Sequence, residues 1–181
     1  MRSSVRAVAC LLAFVAYSAV PTFAQQVSKG TVPGINNLSR LETTVACAGA
    51  IDPEVAVPEI KKMGFVSIIN LRQASEPGAE IEKEAALAKA AGLRYVHIPF
   101  NGASPDPKAA DQFISAITAK GAEPAFVHCA SGNRAAAMWL IKRLAVDRWD
   151  VERATSEASA LGLTNAALRQ FAIDYAQSRR Q

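Results

Sequence analysis

The chain opens on an almost unbroken apolar run, Ala7 to Val20, and then changes character. A polar stretch follows over 25–40, with Pro33, Gly34 and the pair Asn36-Asn37. It carries no period, and 25–37 reads as a leader arm ahead of the folded unit. From there short β-rich apolar runs take turns with helical periods. Leu41 to Ala46 is a modest first strand. Asp52 and Pro53 start a helix that runs to Met63 and stops at Gly64, with Pro58 either splitting it or marking its true start. Phe65 to Leu71 has the look of a strand buried on both faces. Glu80 to Ala91 is rich in Ala, Glu, Lys and Leu, a helix ended by Gly92. Leu93 to Phe100 is the next strand. Pro105 to Lys120 is a helix with Phe113, Ile114 and Ile117 on one face, and Pro124 to Val127 is a very short strand. Three helices close the chain: Ala135 to Leu144, Val151 to Ala160 capped by Asp150, and Asn165 to Gln177 capped by Thr164.

Strands alternating with helices predict an α/β fold, a mostly parallel sheet of four or five strands flanked by helices. One domain over 38–178 accounts for the length, with no internal repeat. Ligands of such sheets sit at the carboxyl ends of the strands, and His128-Cys129 falls at one.

The apolar run is too short for the ~20 residues of a membrane-crossing helix. With Arg2 and Arg6 before it and Thr22-Phe23-Ala24 after it, residues 1–24 read as a secretory signal cleaved before Gln25. That predicts a periplasmic or secreted protein with no stable membrane anchor after cleavage. Cys10 lies inside the run, which argues against a lipoprotein. The net charge of +4 falls to about +2 once Arg2 and Arg6 are removed, and no basic stripe remains, so nucleic acid is not an expected partner. Cys47 and Cys129 are the cysteines left after cleavage; with only His97 and His128 beside them, no metal site and no cofactor are expected.

The chemistry concentrates in His128-Cys129-Ala130-Ser131-Gly132-Asn133-Arg134, between a buried strand and a helix. Under the helix N-terminus, the dipole, the loop N–H groups and Arg134 all favour a thiolate at Cys129. Gly132 permits a turn that aims N–H groups inward as an anion nest, so Ala130, Ser131, Gly132, Asn133 and Arg134 form an oxyanion-binding set. The Arg134 fork can grip two oxygens at once.

Together with Val66-Ser67-Ile68-Ile69-Asn70-Leu71-Arg72 and Tyr95-Val96-His97-Ile98-Pro99, this loop resembles the bacterial phosphatase-like domain also found fused to beta-lactamase-like hydrolases. That group shares its fold with the dual-specificity and tyrosine phosphatases. The resemblance spans about 38–175. It implies a cysteinyl-phosphate at Cys129, formed from a phosphorylated small molecule or protein and hydrolysed by water without metal. His128 is then a residue that orients the loop. The first strand lies near the loop in the resembling fold, which leaves open a Cys47–Cys129 disulfide.

Three departures separate this sequence from the phosphatase pattern. Four residues, not five, stand between Cys129 and Arg134, the spacing of rhodanese sulfurtransferases. Ala135 replaces the usual hydroxyl residue after the arginine. Asn101 occupies the region of the general acid, and Asp106 is the nearest carboxylate downstream, either the acid or a helix-start residue flanked by Pro105 and Pro107. Three functions are therefore weighed: a phosphatase using Cys129, Arg134 and Asp106, a sulfurtransferase or persulfide carrier on the same cysteine, and a non-catalytic oxyanion-binding module. Arg72, ending a buried strand on the same side, is expected either to contact the anion or to pair with Glu76.

Overall fold

The computed structural model describes residues 26–179; the export signal expected at 1–24, with Cys10, lies outside the described residues. Six strands form one sheet in the order β1-β2-β3-β6-β4-β5. They are β1 (Val27–Val32), β2 (Ile35–Leu41), β3 (Val45–Ala48), β4 (Ser67–Asn70), β5 (Arg94–His97) and β6 (Ala125–His128). The three pairings β3·β6, β6·β4 and β4·β5 are parallel, whereas β1·β2 and β2·β3 are antiparallel. The helices are α1 (Pro53–Lys62), α2 (Ile81–Ala90), α3 (Pro107–Ile117), α4 (Asn133–Ile141), α5 (Val151–Ala160) and α6 (Ala166–Ser178). A wide π-type turn, Lys142–Val146, follows α4. Among the described residues no helix is long and apolar enough to cross a membrane.

The alternation of side chains along β3, β4 and β6 sorts the core into two layers. Ala46, Ala48, Ile68 and Phe126 pack with α1 and α2 residues on one face. Val45, Cys47, Ile69, Val127 and Cys129 face α3, α4, α5 and α6 on the other. Helix α4 is the central piece of that second layer. All seven residues from Ala135 to Ile141 are buried, Trp139 fully so, and the three alanines let the helix sit close to the sheet.

The sheet is wider than the sequence suggested, because the segment expected as an arm forms β1 and the start of β2. Two causes hid it. β1 is an edge strand whose inner positions are all exposed, so it has no apolar face to signal a period of two. In β2, Asn37 adopts a left-handed φ of 51°, and the buried apolar residues Ile35, Leu38 and Leu41 fall three apart instead of two. The strand expected at Leu41 to Ala46 is accordingly displaced to Val45–Ala48. Pro58 leaves α1 continuous: both it and Glu54, whose carbonyl loses a partner, face water. The cap of α6 is Asn165, not Thr164.

Candidate active site

β6 ends between β3 and β4, so both neighbours grip the start of the loop. Cys129 N–H donates to Ala48 O at 3.2 Å, and Leu71 N–H donates to His128 O at 2.9 Å. The next carbonyls are held from outside. Ala50 N–H donates to Ala130 O at 3.0 Å, and Asn37 Nδ2 donates to Ser131 O at 3.3 Å. In a trans peptide the N–H points opposite to the carbonyl, so the amides of Ser131 and Gly132 turn inward. The Gly132 amide lands on Cys129 Sγ at 3.1 Å. Gly132 has φ 97°, which other residues adopt only under strain, and its carbonyl accepts from Ala136 N–H to begin α4. Cys129 therefore sits beneath the first turn of a helix, with the Gly132 amide on its sulfur.

Arg134 leaves the first turn of α4 and is held on several sides. Its Nη1 donates to Glu76 Oε1 at 2.6 Å, to Phe100 O at 2.8 Å and to Leu71 O at 3.1 Å; Nη2 donates to Glu76 Oε2 at 2.8 Å. Burial lowers the basicity of this guanidinium, but the Glu76 hydrogen bond and the charges of Cys129 and Glu76 outweigh burial and raise it. On Glu76, burial pushes the carboxyl up. The hydrogen bonds from Arg134, the Gln73 N–H and Arg72 more than reverse that and bring it down to about 2. The fork of Arg134 is thus fixed by Glu76 and two carbonyls, within electrostatic reach of Cys129.

Arg72 is bound within its own loop. It is 5% exposed and donates to Pro77 O at 2.5 Å, Gly78 O at 2.8 Å and Glu76 Oε2 at 3.4 Å. The pairing with Glu76 is the alternative realised, and its consequence is to shape the loop that presents Glu76 to Arg134. Asn133 turns its Oδ1 away to the α5–α6 turn, where it accepts from Thr164 N–H and Asn165 N–H, both at 2.8 Å, and from the Thr164 hydroxyl at 3.1 Å. That pins the α5–α6 turn beside the loop. Asp106 caps α3, accepting from Lys108 N–H at 2.9 Å, in an exposed position. Asn101 turns its Oδ1 to Ala103 N–H at 3.0 Å. Between them lies Gly102, where a Cβ would be in ordinary contact with Arg134 Cγ at 3.4 Å. The turn carrying Asn101 and leading to Asp106 therefore borders the arginine.

Cys47 and Cys129 are both buried free thiols, so the disulfide left open between them is not formed. Cys47 lies opposite Val127 on the neighbouring strand, on the Cys129 face of the sheet. Burial pushes its thiol well above the usual range, and the charge of Cys129 adds to that. Among the described residues no group of three His, Cys, Asp or Glu is placed to hold a metal ion.

Sequence reasoning missed three residues here. Glu84 accepts from His128 Nε2 at 2.8 Å, Asn70 joins it, and Asn37 holds Ser131. A signal existed for Glu84: it lies one helical repeat before Ala88, on the stripe of α2 that faces the sheet.

A sheet carrying a cysteine loop under a helix N-terminus, with an arginine returning to it, defines a cysteine-phosphatase-like α/β domain. The chain belongs to the family of beta-lactamase hydrolase-like protein, phosphatase-like domains, whose model matches residues 37–146. It is 36% identical over 110 residues to the beta-lactamase hydrolase-like protein of Agrobacterium fabrum, covering 56% of this chain and 24% of that protein. The chain thus spans about a quarter of the length of that relative. A solved DUF442 protein from Shewanella putrefaciens matches with a TM-score of 0.66 at 20% identity, over 81% of this chain and 90% of the other. P. aeruginosa TpbA in complex with phosphotyrosine matches with a TM-score of 0.63 at 15% identity, over 88% and 99%. At these identities the two structures speak to the fold, which is that of the cysteine phosphatases.

Proposed function

We propose that the protein is an exported phosphatase that hydrolyses a phosphomonoester through a cysteinyl-phosphate at Cys129. The observation that carries the reading is the inward Gly132 amide on Cys129 Sγ with Arg134 fixed alongside. Family membership and the fold of TpbA, a neighbour solved with phosphotyrosine, support it.

In the first step the Cys129 sulfur attacks phosphorus, an S–P bond forms and the ester P–O bond breaks. The loop amides and the free donors of Arg134 hold the equatorial oxygens, whose charge is largest in the transition state. The leaving oxygen takes a proton from Asp106, the carboxylic acid at the start of α3. In the second step water attacks phosphorus, the S–P bond breaks and inorganic phosphate leaves with the thiolate restored. Asp106 takes back the proton of that water. Export rests on the signal pattern over residues 1–24, including Arg2, Arg6 and Thr22-Phe23-Ala24.

A second reading, sulfur transfer through a Cys129 persulfide, is favoured by the four-residue interval to Arg134 and by Ala135, which offers no hydroxyl to the departing thiolate. Rapid acid quench during turnover of an aryl phosphate separates the two. A phosphoryl adduct on the Cys129 peptide by mass spectrometry supports the phosphatase. A sulfur adduct after thiosulfate, with no phosphoryl adduct, replaces it with the second reading.

A further inference from the structure

The most unusual group in the core is Glu84, a carboxylate 2% exposed between α2 and the sheet. A buried carboxylate is costly unless its oxygens are paired. Here each oxygen holds a different strand. Oε1 accepts from Nε2 of His128, 0% exposed, at 2.8 Å; Oε2 accepts from Nδ2 of Asn70, also 0% exposed, at 2.8 Å. The same Asn70 Nδ2 reaches the Tyr95 hydroxyl at 3.1 Å. His128 Nδ1 is buried without a hydrogen-bond partner, so the ring is anchored through Nε2 on Glu84, with Phe126 packed against it.

Each strand leads to one half of the site. His128 is the residue before Cys129. Asn70 Oδ1 accepts from Arg72 N–H at 2.8 Å, and Arg72 in turn shapes the turn that presents Glu76 to Arg134. The nucleophile and its arginine thus hang from the two oxygens of one buried side chain that touches neither.

We propose that Glu84 is a positioning residue, which sets the register of the Cys129 loop against the Glu76–Arg134 pair by holding His128 and Asn70 together. The proposal rests on the phosphatase reading only for its activity readout. An ordinary packing role would be met as well by an apolar side chain; holding two strand ends at one spacing requires two acceptors in a fixed fork.

The chemistry of the fork supplies the test. Glu84→Gln leaves one acceptor for His128 and sets an amide N–H₂ against that of Asn70. Glu84→Gln combined with Asn70→Asp restores every bond. The amide introduced on α2 accepts from His128 and donates to the carboxylate introduced on β4, which also accepts from the Tyr95 hydroxyl and the Arg72 N–H. Two measurements are made on the parent and both variants, with thermal midpoints recorded. One is kcat and KM for an aryl phosphate; the other is amide hydrogen exchange of residues 129–134. The proposal expects the single variant to lose roughly 10²-fold in kcat with little change in KM, and its loop amides to exchange about tenfold faster. The double variant recovers to within about threefold of the parent, as restored geometry requires. If the single variant does not fold, Glu84→Asp, which keeps the charge but shortens the reach, is read in the same way. A folded variant with unchanged loop exchange and unchanged kcat overturns the proposal, whatever its thermal midpoint. If the parent hydrolyses nothing, the phosphatase reading fails, and loop exchange alone decides the role of Glu84.

Discussion

Arg134 and Glu76 meet through two parallel hydrogen bonds, 2.6 Å from Nη1 to Oε1 and 2.8 Å from Nη2 to Oε2. The guanidinium also reaches the carbonyls of Leu71 and Phe100, so one side of the fork is fully engaged. A preorganised arginine costs no reordering when charge develops on the substrate. Replacing Glu76 by Gln keeps one acceptor and removes the charge, and replacing it by Ala leaves the fork only the Leu71 and Phe100 carbonyls. Misplacing such a group costs on the order of 10²-fold. The expected order of kcat/KM for an aryl phosphate is therefore parent, then Glu76→Gln, then Glu76→Ala, with the alanine variant down by about that factor. Equal rates for parent and alanine variant would remove Glu76 from the account.

The same pair predicts an acid limb in stability. The carboxyl of Glu76 is brought from an ordinary value of 4.5 down to about 2 in the folded protein. A lowered folded value means that the contribution is complete above 4.5 and is lost as pH falls toward and through 2. Thermal midpoints of parent and Glu76→Gln should differ at neutral pH and converge between those limits. A difference that stays constant down to pH 2 would contradict the assignment.

Asp106 makes its prediction through a substitution that spares the helix. Asn caps a helix about as well as Asp, so Asp106→Asn should leave the thermal midpoint nearly unchanged. General-acid catalysis contributes about 10²- to 10⁴-fold, most for poor leaving groups. The variant should lose little with a nitrophenyl ester and at least about 10²-fold with an alkyl ester, as loss of a proton donor requires. An identical loss on both esters would argue against proton donation by Asp106.

Cys47 should behave as a silent thiol. Burial first, and the charge of Cys129 second, hold it far above the usual thiol range. Iodoacetamide at pH 8 should leave Cys47 unlabelled in native protein and label it after unfolding, as read by peptide mass. Labelling of native Cys47 would contradict the buried arrangement.

Much of this site is legible in the amino-acid sequence. The loop from His128 to Arg134 is contiguous, and the strand before it and the helix after it have plain patterns, so their relation can be read locally. Helices α5 and α1 are readable for the same reason, through Asp150, Asp52 and Pro53 at their starts. The edge hairpin is not: β1 turns no apolar face to the core, and Asn37 breaks the rhythm of β2. Arg72 is half legible. Its pairing with Glu76 is local, but the choice between that and an anion depends on the Pro77 and Gly78 carbonyls folding back over it. The place of Glu84 on the Ala88 stripe of α2 is legible, but its role is not, because its partners His128 and Asn70 are 44 and 14 residues away and a glutamate in a Glu- and Lys-rich helix looks like a solvated one.

In the proposed reaction Cys129 carries a phosphoryl group. That role is tested most directly by assaying the reduced protein beside Cys129→Ser for phosphate release from an aryl phosphate and, in parallel, for thiocyanate formed from thiosulfate and cyanide. The expected result is phosphate release that the parent shows and the serine variant lacks. Thiocyanate formation that depends on Cys129, with no phosphate released, would contradict it and assign the loop to sulfur transfer. Neither product from folded protein would contradict it too, leaving an oxyanion-binding module.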